Sequence, residues 1–379
     1  MNLRRLLLAL AAPVGAFAFS VGLSSLVLLA VGTSPMEAWT EMLSYGTRLE
    51  TFVETGNRAT QLYLAGVAVA IGFRMNLFNI GVEGQYVLAA LLAASAGAAV
   101  DLPPVLHVAL IMAVAMAVGS AFAGVSGYLK VARGVHEVIS TIMLNAVALA
   151  AVGFLLRTWL LDDTDATLNM KTPEIPPSGH FPKINGLVET FTREIGRGRE
   201  LWGFLLVAVV VGVLFHVFLN RTRAGYDLRA TGLNPFAAEA AGVDPSATVV
   251  RAMLLSGAVA GLIGLPEILG DAHKYDLGFT RGLGFAGIAV ALVGRNHPGG
   301  VAVAAVFFGW LDSAAPILDV VGDTPREIVS ILQGVVVLSA VVAYEVVNRV
   351  RRAAEARDAA SAARQPVAEA APAGAEEDS

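Results

Sequence analysis

The chain contains no cysteine, which excludes a disulfide, an iron–sulfur cluster and a thiolate metal site. Charge is scarce: 15% of residues are Asp, Glu, Lys or Arg, against roughly 25% in ordinary globular chains. No GxxxxGK[ST] stretch occurs, so the chain lacks a phosphate-cradling loop of its own for ATP. No nucleophile–base pair, paired-carboxylate site or metal cluster stands out, and no cofactor bound by this chain is expected. What is abundant is apolar surface: 56% of residues are hydrophobic and mean hydropathy is +0.66. Several runs reach about 18 residues or more with almost no charge, the mark of transmembrane helices. The fold class is all-α integral membrane, a polytopic bundle. The net charge of −5 says little, because the acids gather in one loop and the tail.

Taken in order, residues 6–32 follow Arg4 and Arg5 and read as a first span, too long for a typical signal-peptide core. Met36, Trp39, Met42 and Leu43 recur at helical spacing within 33–58, which predicts a short interfacial helix. Further spans are expected near 60–73, 80–100, 105–127, 136–160, 202–220, 248–269, 284–294, 301–320 and 327–347, about ten in all. Gly119, Ser120, Gly124 and Gly127, and the pair Gly257 and Gly261, are small residues that let helices approach closely. Lys130 and Arg133 mark a short loop. The span at 284–294 is short for a bilayer of roughly 30 Å and reads as a half-helix, broken at Asn296–Gly300.

Ten spans put both termini on one side, together with Arg4, Arg5, Lys130, Arg133, Arg221, Arg223, Arg229, Arg295 and Arg349. By the positive-inside rule that side is the cytoplasm. The polar loop 161–200 then lies outside, although it carries five basic residues beside its seven acids. The transmembrane region is 1–350, and 351–379, rich in alanine and acids, reads as a disordered cytoplasmic tail.

The stretch that organises the chain is 64–92, two apolar runs around a polar hinge. Arg74, Asn76, Asn79, Glu83 and Gln85 sit there beside Gly81 and Gly84. A charge at mid-bilayer costs roughly 2.5–3.5 kcal/mol on insertion scales, so Arg74 and Glu83 need partners, water or an interface. The hinge is either a translocation path, with amides offered to a polar solute, or an interfacial turn with Arg74 snorkelling. LAGVAVAIGFRMN at 64–76 is echoed by FAGIAVALVGRN at 285–296, as a duplicated transporter would produce; chance is the other reading. Helices short or broken near 74–85 and 284–300 follow from both breaks. In His136–Asn145, Glu137, Thr141 and Asn145 recur every four residues along one face. That face lines a polar cavity, or else Ser140 and Thr141 bond back to their own helix. The stretch 229–245 holds no catalytic constellation. It is a solvated loop or a docking helix with Ala237, Ala238, Ala241 and Gly242 as a small-residue face.

NIGVEGQ at 79–85, HEVISTIMLN at 136–145, ATGLNPFAAEAAGVDP at 230–245 and GIAVALVGRNHPGGV at 287–301 together resemble permease subunits of bacterial ABC importers. The group is that of branched-chain amino acid, ribose and nucleoside permeases, and the wording is closest to its nucleoside (guanosine-type) and simple-sugar members. The resemblance covers roughly residues 60–345. It implies a second permease subunit, paralogue or copy, beside this one in the bilayer. It also implies cytoplasmic ABC ATPase chains that use ATP, and an extracytoplasmic solute-binding lipoprotein; nucleic acid has no part. It implies a bacterial cell membrane and a non-enzymatic role. The matching coupling region is 221–247, with Arg229, Gly232, Asn234, Pro235, Ala237, Ala238, Ala241 and Gly242 facing the ATPase. The candidate solute path is Asn76, Asn79, Glu83, Gln85, Glu137, Thr141 and Asn145. Nucleosides are the expected solute, with ribose or a branched-chain amino acid as alternatives. A different class, an ion-coupled secondary transporter, would use Glu83, Glu137 and Glu267 directly and work without an ATPase.

Overall fold

The computed structural model describes residues 18–162, 170–186, 200–321 and 328–339, with 342 and 349. The tail at 351–379, Asp163 and Asp165 lie outside the described residues. The chain divides into two units, Leu28–Gly334 and a smaller one of 1–27 with 335–379. In the smaller unit, Ser25 and Ser339 each donate to the carbonyl four residues back, at Val21 and Val335.

The described elements are helical: α1 (Ala18–Ala30), α2 (Pro35–Gly46), α3 (Leu49–Arg74), α4 (Val82–Ala98), α5 (Pro104–Arg133), α6 (Glu137–Thr158), α7 (Phe204–Arg221), α8 (Arg223–Leu233), α9 (Pro235–Ala240), α10 (Pro245–Gly261), α11 (Leu283–Val293), α12 (Pro298–Ala314), α13 (Pro316–Val321) and α14 (Ile328–Ser339). A π turn at Ile268–Ala272 prolongs the path of α10. Five spans are long and apolar enough to cross a membrane among these residues: α5, α6, α7, 245–272 and 298–320. A sixth is counted if α1 and α2 form one bent span. The expected figure of ten is thus not reached by length and composition. The shortfall has physical causes: α3 carries Glu50, Glu54 and Arg58, and α4 and α11 are only 17 and 11 residues long.

Helix ends follow local chemistry. Prolines 104, 235, 245 and 298 open α5, α9, α10 and α12, where the missing N–H has no intrahelical partner to lose. Gly134 (φ 66°) closes α5 in the left-handed conformation, which only glycine adopts without strain. Lys130 and Arg133 therefore belong to the last turn of α5, not to a loop. The expected interfacial helix is two elements, α2 and the start of α3, and Met42 is fully buried rather than set on a surface face. Likewise 221–247 holds two short helices, α8 and α9, because Asn234 ends one and caps the next.

The core of the larger unit is α3 and α4. Residues 59–62, 64–72 and 82–91 are buried, so the organising stretch lies at the centre of the bundle. By contrast α5, α6 and α7 keep most of their apolar surface outward, as a face meant for lipid or a partner helix does. α5 crosses α10 at glycines. A Cβ on Gly119 would stand 2.2 Å from the Gly257 carbonyl oxygen, and one on Gly257 would stand 2.2 Å from that of Gly119. Gly119→Val should lower the melting temperature in detergent by an amount worth about 3 kcal/mol, the upper end of overpacking costs. Ala117→Val, on an exposed site of the same helix, should leave it unchanged. Equal melting of the two variants would show that the crossing tolerates separation.

Candidate functional site

α3 ends where Asn76 takes a left-handed conformation (φ 58°), with Leu77 N–H donating back to Gly72 O and Asn76 N–H to Phe73 O. This is the glycine-type helix stop, here using asparagine. α11 ends the same way, at Arg295 (φ 57°) and Asn296 (φ 54°), with Asn296 N–H donating to Ala291 O. The two echoed segments lie side by side: a Cβ on Gly287 would meet Ala65 at 2.7 Å, and one on Gly66 would meet Val290 at 2.9 Å. Arg74 joins the two stops, its Nε donating to Asn296 O at 2.9 Å.

Past the stop, the hinge folds onto itself. Asn79 and Gln85 exchange two hydrogen bonds, at 3.0 and 2.9 Å. Asn79 Nδ2 also donates to Ser256 Oγ at 2.8 Å, and Ser256 donates on to Ala68 O. Asn145 of α6 reads the hinge backbone, its Nδ2 donating to Ile80 O and its Oδ1 accepting from Gly84 N–H, both at 2.9 Å. The hinge is therefore a junction of α3, α4, α6 and α10.

Glu83 extends that junction to α11. Its Oε1 accepts from Gly282 N–H at 2.7 Å, and its Oε2 accepts from Gly284 N–H at 2.9 Å. Tyr86 donates to the same carboxylate at 3.2 Å and to Thr280 O at 3.0 Å. Glu83 sits in the first turn of α4 and caps the first turn of α11. Two helix N-termini thus converge on one buried carboxylate, the end of a helix that favours negative charge. Gly284 permits the approach, since a Cβ there would lie 2.4 Å from Glu83 N.

The remaining sequence candidates fall elsewhere. Asn76 is exposed and outside this network. Thr141 and Ser140 both bond back to Glu137 O, and Thr141 packs against Gly81. Glu137 pairs with Lys130 at 2.5 Å. In 221–247, Asn234 Oδ1 accepts from Phe236 and Ala237 N–H, with Pro235 opening α9 and Gly242 (φ 83°) following it. Ala237, Ala241 and Gly242 are exposed, but Ala238 is buried, so the small-residue face loses that member, because α9 packs on α8 and α10. Arg229 is half-buried, and its Nη1 is buried without a hydrogen-bond partner. Gly232 presses on the hinge; a Cβ there would lie 2.6 Å from Arg74 O.

A cavity of about 580 Å³ opens between the helices, lined by Glu54, Arg58, Gln61, Trp202, Glu267, Asp271, Thr280, Asp312 and Ser313 among others. None of the candidate path residues lines it. Arg58 Nε pairs with Asp312 at 2.8 Å, Gln333 also bonds Asp312, and Gln61 Nε2 donates to Glu267 Oε2 at 3.2 Å. Through Thr280 O and Tyr86 the cavity wall meets the Glu83 junction. Of this wall, the sequence pointed only to Glu267. The usable signals were Asp312 and Ser313 inside an apolar run, and Glu54, Arg58 and Gln61 at i, i+4 and i+7 on one helix face. Among the described residues no group of three or more His, Asp or Glu is placed to hold a metal ion.

Apolar helices broken at two polar turns, joined by buried hydrogen bonds beside a charged cavity, define a multi-pass membrane transport protein. Residues 52–341 match the family described as branched-chain amino acid transport system / permease component, and the chain belongs to it. It is similar to the guanosine ABC transporter permease protein NupP of Bacillus subtilis, 35% identical over 294 residues that cover 77% of this chain and 81% of that protein. It is also similar to the glucose ABC transporter permease protein TsgB13 of Haloferax volcanii, 31% identical, covering 87% of each chain. A third relative is the nucleoside ABC transporter permease protein NupB of Lactococcus lactis, 29% identical over 86% of this chain and 88% of that protein. No solved structure matches the chain.

Proposed function

We propose that this chain is the permease subunit of an ATP-driven importer that moves nucleosides into the cell. The observation that carries this reading is the 35% identity to a guanosine permease along four-fifths of that protein. Separate cytoplasmic ATPase chains, a second permease subunit and an extracytoplasmic solute-binding lipoprotein complete the importer. The chain crosses the bacterial cell membrane ten times: α1, α3, α4, α5, α6, α7, 245–272, α11, 298–320 and α14 are the spans. Both termini, the hinge and 221–247 then face the cytoplasm, and 161–200 faces outward. The cavity opens on the outer side. Solute passes from it toward the cytoplasm along the hinge, so the bonds made by Asn79, Glu83, Gln85, Glu137, Thr141 and Asn145 rearrange as it passes, and Asn76, which is exposed, meets it at the cytoplasmic end.

The coupling residues are Arg229, Gly232, Asn234, Pro235, Ala237, Ala241 and Gly242, with Ala238 holding α9 in place from beneath. The ion-coupled alternative needs free intramembrane acids. Glu83 is instead bonded to two backbone amides, Glu137 to Lys130 and Glu267 to Gln61, which favours the ATP-driven reading. The test is uptake of labelled guanosine, ribose and leucine by cells expressing the whole gene cluster, with and without this chain. Only guanosine uptake should depend on it. Dependence of ribose or leucine uptake instead would keep the architecture and overturn the solute. Uptake that survives ATP depletion but not collapse of the proton gradient would overturn the importer.

A further inference from the structure

Among the described residues the cavity wall carries four carboxylates, Glu54, Glu267, Asp271 and Asp312, and one guanidinium, Arg58. Arg58 is held by Asp312, and Glu267 and Asp271 give the space its negative sign. Low-dielectric walls focus such a field, and an anion entering the cavity meets it at close range. At about 580 Å³ the volume falls within the roughly 300–1,000 Å³ of small-molecule sites.

Two features of the wall are fixed before any solute arrives. Trp202 is anchored through its backbone N–H, which donates to Asn57 Oδ1 at 2.9 Å. Its ring rests on Gly270, where a Cβ would lie 2.7 Å from the indole Cγ. An aromatic face takes any nucleobase by stacking, because every base has a π-face. Ser313 is the second feature. It is 2% exposed, it lines the cavity, and its buried Oγ has no hydrogen-bond partner. Buried hydroxyls almost always have one, and a solute hydroxyl would supply it. Gln61 and Glu267, already bonded to each other, add a donor and an acceptor at the same wall.

We propose that this cavity is the solute-selecting site, holding an uncharged nucleoside with its base on Trp202 and its sugar hydroxyls at Ser313 and Glu267, and that the acidic lining rejects phosphorylated nucleosides. The assignment rests on the nucleoside-importer reading above. Its ligand class follows from a fixed aromatic wall, an orphan hydroxyl and the sign of the charge.

The test measures binding of labelled guanosine to the assembled transporter in membrane vesicles without the solute-binding lipoprotein, so that selection by this chain is read alone. Trp202→Leu and Ser313→Ala should each weaken binding about tenfold, a factor equal to one modest contact. Trp202→Phe should restore most of it. Co-purification of the ATPase chains with each variant in wild-type amounts shows that the variants are assembled. Guanosine monophosphate should compete at least about tenfold less well than guanosine, and Asp271→Lys should narrow that gap. Wild-type affinity in both Trp202→Leu and Ser313→Ala would overturn the site while leaving a guanosine-dependent uptake phenotype, and so the importer reading, intact. Equal competition by guanosine and its monophosphate would overturn the charge filter. If uptake depends on ribose or leucine in place of guanosine, the solute reading fails first and the nucleoside ligand falls with it.

Discussion

Glu83→Gln should lose most guanosine uptake while the protein still inserts in the membrane. The carboxylate presents an oxygen to each of two backbone N–H groups, Gly282 and Gly284. A glutamine keeps one oxygen and turns an NH₂ group toward the other donor. A hydrogen bond to a charged group contributes about 1.5–3 kcal/mol, and the variant forfeits one outright and weakens the second. Since about 1.4 kcal/mol is a factor of ten, uptake should fall by at least about tenfold if the α4–α11 junction must hold in one transport state. Glu83→Asp, one methylene shorter, reaches one amide at best and should behave similarly. The measurement pairs uptake with thermal melting of the purified chain in detergent. A lowered melting temperature with normal uptake would make Glu83 a purely structural cap. Normal values of both would dismiss the junction.

That prediction rests on a contact the sequence only half disclosed. The polar break at 74–85 is legible because an isolated Glu and three amides interrupt apolar runs. The second break at 294–297 is legible because its segment echoes the first. What occupies Glu83 is not legible: its partners are backbone amides 199 and 201 residues away, and backbone donors carry no sequence signature. The same limit hid the cavity. Arg58 and Asp312 are 254 residues apart, so that although each stands out locally, nothing in the sequence pairs them. Helix ends were read well where a residue acts locally, as at Pro104, one residue from the expected start at 105, but not at Gly134, since α5 runs past the expected 127 to Arg133. They were read badly where apolar periodicity is absent, as at the start of α3, whose acids and arginine mimic a loop. Hydropathy and length do not reach the expected ten spans for a related reason, because α3 starts with charged residues and α4 and α11 are short.

The hinge, the second break and 221–247 are also one mechanical unit, and this yields the second large effect. Gly232 of α8 lies against the end of α3, where a side chain would stand 2.6 Å from Arg74 O and 2.8 Å from Met75 Cα. No Cβ is accommodated at such distances without moving backbone, because interiors are close-packed. Arg74 in turn bonds Asn296 O, so displacement of α8 reaches both helix stops. Gly232→Val should therefore uncouple the importer. ATP hydrolysis by the assembled transporter should persist, while guanosine moved per ATP should fall by about tenfold or more, the effect of some 1.4 kcal/mol of lost coupling. Replacing Asn234 through Gly242 by a flexible linker should go further and abolish uptake, since it removes the Asn234 cap and α9 together. Gly134→Ala, outside the coupling region, tests the opposite expectation. Its φ of 66° strains other residues, yet nothing lies within reach of a Cβ there, so it should cost about 1 kcal/mol of local stability with coupling retained. Equal transport per ATP in wild type and Gly232→Val would place the coupling path elsewhere than α8 and the hinge.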